Sequence, residues 1–124
     1  MITAAVLVLA CALAAGLALA ARAMREDPAR ARRIPLAGAA HGLAGLIGLG
    51  LLVISLEGPP RGEATGTGGF GLAAASLIGV GALFGLMLPS LSRNGVRGVT
   101  VVMAIHGGLA ITGFTLLLAW AGLG

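Results

Sequence analysis

The chain switches between long apolar stretches and short polar ones, with runs far longer than the period of an amphipathic helix or a strand. Four windows, residues 2–21, 34–56, 70–91 and 96–123, consist mostly of Ala, Gly, Leu, Ile and Val. Each reaches the roughly 20 residues a helix needs to cross a hydrocarbon core about 30 Å thick. Polar residues gather between the windows, in "RAMREDPARARR", "EGPPRGEATGTGG" and "SRNG". The pattern predicts an all-α, integral membrane four-helix bundle, a single transmembrane domain over residues 1–124. The first window is longer than the apolar stretch of a secretory signal and has no basic segment before it, so it is expected to be a retained helix.

Composition agrees: 58% hydrophobic residues against 10% charged, with a mean hydropathy of +1.06, lies outside the range of soluble domains. The charge then orients the bundle. Arg22, Arg25, Arg30, Arg32 and Arg33 follow the first window and Arg93 and Arg97 the third, whereas the second connection holds only Arg61, set against Glu57 and Glu63. Short arginine-rich loops stay cytoplasmic, so the first and third connections are expected inside and both termini outside. A prokaryotic inner membrane, crossed several times, is the expected location. The net charge of +4 thus serves topology and lipid headgroups, and the expected partner is the bilayer rather than nucleic acid.

Glycine, 22 residues in all, falls in two settings. In "EGPP" and "TGTGG" it predicts a flexible outer loop. Within the windows, Gly38 with Gly42 and Gly81 with Gly85 have the small-xxx-small spacing of closely packed membrane helices. The single cysteine, Cys11, has no partner for an intramolecular disulfide and is expected to be buried as a small apolar side chain.

No Asp, Glu, Lys or Arg lies well inside any window, which removes the usual carriers of ion coupling. The small multidrug transporters, similar in length, depend on an embedded glutamate that has no counterpart here. What remains is a repeat: "AAHGLAGLIG" at 39–48 and "AIHGGLAITG" at 104–113 hold the only two histidines. His41 is eight residues past Arg33 and His106 nine past Arg97, so both sit roughly 12–13 Å in from a cytoplasmic anchor. Their helices run in the same direction, as in a parallel duplication of a two-helix unit about an axis along the membrane normal. Such an axis sets the imidazoles opposite each other.

Small residues share the histidine faces: Gly38, Gly45 and Gly48 around His41, and Ala110 and Gly113 above His106, with Met103 below. A groove with one imidazole on each wall suits a flat apolar ligand, and haem b, one per chain, fits that description, its iron taking a nitrogen from each side. A backbone carbonyl one turn back, of Ala37 or Val102, is expected to hold the second ring N–H of each histidine. Arg33, Arg93 and Arg97 stand where they can pair with the propionates. Two axial ligands leave iron no vacant position, so electron transfer with a quinone or redox protein is expected rather than enzymatic turnover, and no catalytic residue stands out.

The chain resembles the four-helix membrane cytochromes of b type, in which histidines on bundle helices hold haem; the resemblance rests on His41, His106 and their glycine-rich faces. It implies a bis-histidine haem and a role in electron transport. Such proteins commonly hold two haems with four histidines, and two histidines here imply one. Other readings of the same residues are a cofactor-free structural or assembly subunit of a larger complex, and a copper site using His41, His106 and Met103 with Met87 or Cys11. Pigment ligation by separate histidines is a further one. A homodimer is also compatible with the bare glycine faces.

Overall fold

In a computed structural model, residues 1–25, 35–93 and 98–124 are described, and they form four helices: α1 (Ile2–Arg25), α2 (Pro35–Leu56), α3 (Phe70–Arg93) and α4 (Val99–Leu123). Two boundaries extend past the sequence-based ones. Arg22 and Arg25 belong to the last turn of α1 and Arg93 ends α3, where a cation faces the negative end of the helix dipole. Arg30, Arg32, Arg33 and Arg97 lie outside the described residues. Gly98, just before α4, has φ 99°, a left-handed conformation that glycine adopts without a Cβ penalty.

Every helix is long and apolar enough to cross a membrane, and the outward faces carry exposed Leu7, Leu43, Leu83 and Leu118. Apolar surface of this extent belongs in lipid, and the chain is a multi-pass membrane protein. Lipid offers no hydrogen bonds, so polar groups must find partners within the chain. The hydroxyls of Ser55, Ser76, Thr112 and Thr115 do so locally, each donating to the carbonyl four residues earlier on its own helix.

Neighbours in the bundle are α1 with α2, α2 with α3, α3 with α4, and α4 with α1; the pairs α1/α3 and α2/α4 are diagonal. The duplication expected from the histidine repeat recurs at several core positions. A shift of 69 positions carries α1 onto α3 and a shift of 65 carries α2 onto α4. Under these shifts Ala5 matches Ala74 and Leu52 matches Leu117, and all four are 0% exposed. Leu9 matches Ile78 and Gly48 matches Gly113, and these form equivalent close approaches. A Cβ on Gly48 would lie 2.6 Å from Leu9 Cγ, and one on Gly113 would lie 2.7 Å from Ile78 Cγ1. Each half is thus a hairpin whose two helices meet at a glycine, the arrangement that lets membrane helices gain dispersion contact.

The α2–α3 connection is folded, in contrast to the flexible loop expected from its glycines. Thr67 N–H donates to Gly62 O at 2.8 Å and Phe70 N–H to Thr67 O at 2.9 Å. Thr65 Oγ1 lies 2.9 Å from Thr67 Oγ1 and 3.1 Å from Leu123 O, which ties the loop to the end of α4. Thr67 is buried, and Gly62, at φ 75°, leaves no room for a Cβ against the Thr67 hydroxyl. The loop therefore caps the end of the bundle opposite the arginine-rich connections.

Candidate cofactor site between the two histidines

His41 is six residues into α2 and His106 seven into α4, so the two helices bring their imidazoles to one level, as the repeat predicts. The rings face each other across the α2/α4 diagonal with centroids 5.9 Å apart and planes crossed at 83°. Both are half-buried. Among the described residues in the spans, these two side chains alone make hydrogen bonds from one helix to another. His41 Nδ1 is 2.9 Å from Ala12 O on α1, and His106 Nδ1 is 2.7 Å from Gly81 O on α3.

A carbonyl only accepts, so Nδ1 carries the proton in both rings, and in the neutral imidazole Nε2 keeps its lone pair. The hydrogen-bond partner differs from the sequence-based expectation. Ala37 and Val102, one turn back on the same helix, are not the acceptors; the neighbouring helix of the same hairpin supplies the carbonyl. The cause lies four residues further along. In a helix the side chain at i+4 leans back over the carbonyl of residue i, and four residues beyond Ala12 and Gly81 stand Gly16 and Gly85. With no side chain at either place, the carbonyl is uncovered and its second lone pair is free for an imidazole. The fit is close: a Cβ on Gly16 would lie 2.8 Å from His41 Cε1, and one on Gly85 would lie 2.8 Å from His106 Cε1.

The small residues expected to line a groove divide into two groups. A Cβ on Gly38 or Gly45 would meet nothing within 4 Å, and the same holds for Gly42, Gly107 and Gly108. Gly48 and Gly113 are instead filled by the neighbouring helix, and Ala110 lies against α3, its amide nitrogen 3.6 Å from where a Gly81 Cβ would sit. Helix geometry explains the division. Gly48 and Gly113 follow their histidines by seven positions, about 20° to one side, whereas Gly45 and Gly38 lie about 40° and 60° to the other. The bare face is therefore narrower than the sequence suggests, and the bundle is closed above the histidines. Arg93 is exposed at the end of α3, and Arg33 and Arg97 lie outside the described residues.

Cys11 is exposed, not buried, which sets it on the outer face of α1. Met87 is exposed and Met103 half-buried. Among the described residues no three His, Cys, Asp or Glu side chains converge on a point. The site offers two imidazoles and bare backbone. Compared with known proteins, the chain matches no family model, no curated sequence and no solved structure.

The residues missed by sequence reasoning are Ala12 and Gly16. Their signal is the duplication itself: Gly81 and Gly85 have the small-xxx-small spacing, and a shift of 69 positions points from those two to Ala12 and Gly16.

Proposed function

We propose that this chain is a b-type membrane cytochrome that holds one haem between α2 and α4, with His41 and His106 as axial ligands. The observation that carries the reading is the pair of imidazoles, each with Nδ1 committed to a backbone carbonyl and Nε2 without a partner among the described residues, at a centroid separation of 5.9 Å. Two imidazoles on opposite sides of one metal at about 2.0 Å have centroids about 6.3 Å apart, so the separation of the two rings is within a few tenths of an ångström of the one a shared metal would need. The bare faces at Gly38, Gly42 and Gly45 support the presence of a flat ligand beside the rings. When bound, haem supplies a one-electron iron couple. The chain's own part is to hold two imidazoles in one tautomer, exclude water with apolar helices, and present arginines at the cytoplasmic boundary.

The electron partners that suit this site are a quinone in the bilayer or a redox protein on the cytoplasmic side of a prokaryotic inner membrane. A second reading has its own observation. Each imidazole ties the two helices of its hairpin together, which is what a cofactor-free structural subunit would use a histidine for. The exposure of Cys11 takes away one of the ligands considered for copper.

The deciding experiment is an absorption spectrum of the purified protein, oxidised and then reduced with dithionite, for wild type, His41→Ala and His106→Ala. A low-spin haem spectrum that is lost or altered in both variants, with each protein still inserted in the membrane, is the expected result. Protein purified without a chromophore from haem-replete cells, or a spectrum unchanged in either variant, overturns the assignment.

A further inference from the structure

Helices α1 and α3 meet the imidazoles through backbone carbonyls and glycines. Ala12 O and Gly81 O receive the two Nδ1 protons, and Gly16 and Gly85 are the positions whose Cβ atoms would strike the rings at Cε1. The four residues coincide under the shift that relates α1 to α3, so the device occurs once in each hairpin. Not every glycine in the spans is of this kind: Gly50 has nothing within 4 Å of its Cβ position.

We infer that Gly16 and Gly85 are positioning residues for the axial histidines: each uncovers the carbonyl that orients an imidazole, and together they set the two ring planes at right angles. The inference rests on the haem reading for its functional consequence. The hydrogen bond fixes the tautomer and raises the donor strength of Nε2. If haem binds with the rings crossed as they are here, at 83°, each imidazole would overlap a different one of the two iron d orbitals of π symmetry. Those orbitals would then lie close in energy, and the oxidised low-spin centre would give a strongly anisotropic electron paramagnetic resonance signal. Rings turned parallel would separate the two orbitals and give a rhombic signal.

A methyl at Gly16 or Gly85 forces the ring off its carbonyl, because the contact at 2.8 Å leaves no room for both. The test compares wild type, Gly16→Ala, Gly85→Ala and Gly50→Ala. Two readouts are used. In apo-protein labelled with nitrogen-15 histidine, nuclear magnetic resonance reports which ring nitrogen carries the proton. In haem-loaded protein, paramagnetic resonance reports the ring crossing and competition with apomyoglobin reports retention. Both wild-type histidines are expected to be protonated at Nδ1, with a strongly anisotropic signal. Each site variant is expected to lose the Nδ1 assignment for its own histidine, to move toward a rhombic signal, and to release haem about 10-fold more readily, the lower end of the 10–100-fold effect of removing such a partner. Gly50→Ala is expected to match wild type in all three.

Wild-type protein protonated at Nε2 overturns the inference, as do site variants that match Gly50→Ala. If wild type binds no haem, the proposed function fails while the apo-protein measurement still decides the positioning role. If one variant fails to insert, the other variant and the wild-type nitrogen assignment decide it.

Discussion

Gly113 stands at a close approach of α3 and α4, and Gly113→Ala tests whether that approach holds the second hairpin together. A Cβ at this position would lie 2.7 Å from Ile78 Cγ1, 3.1 Å from Ala74 O and 3.2 Å from Ile78 N. Carbon atoms rest at about 3.5–4.0 Å, so Ile78 Cγ1 must retreat by about 1 Å. Ile78 is buried and β-branched, with one favoured rotamer in a helix, and the other two atoms are backbone. The side chain has nowhere to turn, and the helices must separate. Overpacking costs about 1–3 kcal/mol, and replacing a helical glycine by alanine returns about 0.5–1 kcal/mol. The net loss is therefore between about 0 and 2.5 kcal/mol, and relative to Gly50→Ala, which shares the helix-propensity gain, about 1–3 kcal/mol. Gly48→Ala meets mainly the Leu9 side chain, Cγ at 2.6 Å and Cδ2 at 2.7 Å, with backbone no nearer than 3.3 Å. Leucine has more rotamer freedom, so the loss there is below about 1 kcal/mol. Gly50→Ala meets nothing and is expected to be neutral or slightly stabilising. Unfolding in mixed micelles at rising dodecyl sulfate fraction, followed by circular dichroism and by the fluorescence of the single tryptophan, gives the order. Gly113→Ala unfolding at the same fraction as Gly50→Ala would refute the packing argument.

Three further outcomes are expected. Gly45→Leu fills the bare face beside His41 and should abolish haem loading while the protein still inserts; normal loading would mean that this face is not part of the site. Thr65→Ala removes a hydroxyl whose single proton is shared between Gly62 O and Leu123 O and which also meets Thr67 Oγ1, a loss of about 1–2 kcal/mol in all, and should speed proteolysis within the cap relative to wild type; equal cleavage rates would count against the cap. In oriented vesicles holding only this protein, reduction of an impermeant acceptor should be fast on the face of the arginine-rich connections and slow on the face of Ala64, because about 20 Å of the 30 Å core has no second histidine pair. Fast reduction on both faces would place the redox centre at another depth.

The four spans were legible because lipid leaves a helix no alternative, and hydropathy at this amplitude marks little else. The histidine pair was legible because a repeated motif at one depth, on helices of one direction, leaves few arrangements. The acceptors of the histidine N–H groups were not. Whether a helical carbonyl is open to a neighbour depends on the residue four positions on and on the register between two helices, and no local pattern around His41 encodes that register. Gly48 and Gly113 misled for a related reason. They share a repeat with the histidines, but 20° of helix rotation places them against the neighbouring helix while Gly45 stays bare. Cys11 was expected inside because cysteine is usually buried; in a membrane bundle an apolar thiol is equally at home facing lipid.

The duplication bears on how many sites the chain can hold. If each hairpin had its own complete site, the shifts of 69 and 65 positions would generate two of everything, at separate places. The imidazoles do not behave that way: equivalent residues of the two hairpins approach each other to 5.9 Å. Two equivalent groups in contact must lie beside the axis that relates them. A ligand held between them is on the axis and is shared, one per pair of hairpins, with identical chemistry on each face. Everything that supports it from outside, Ala12 with Gly16 and Gly81 with Gly85, must occur twice, as it does. The cap formed by the α2–α3 connection cannot be duplicated, because the chain makes that connection once. Departures from twofold symmetry should therefore concentrate at the capped end, where Thr65 reaches Leu123 O, and fade toward the histidines.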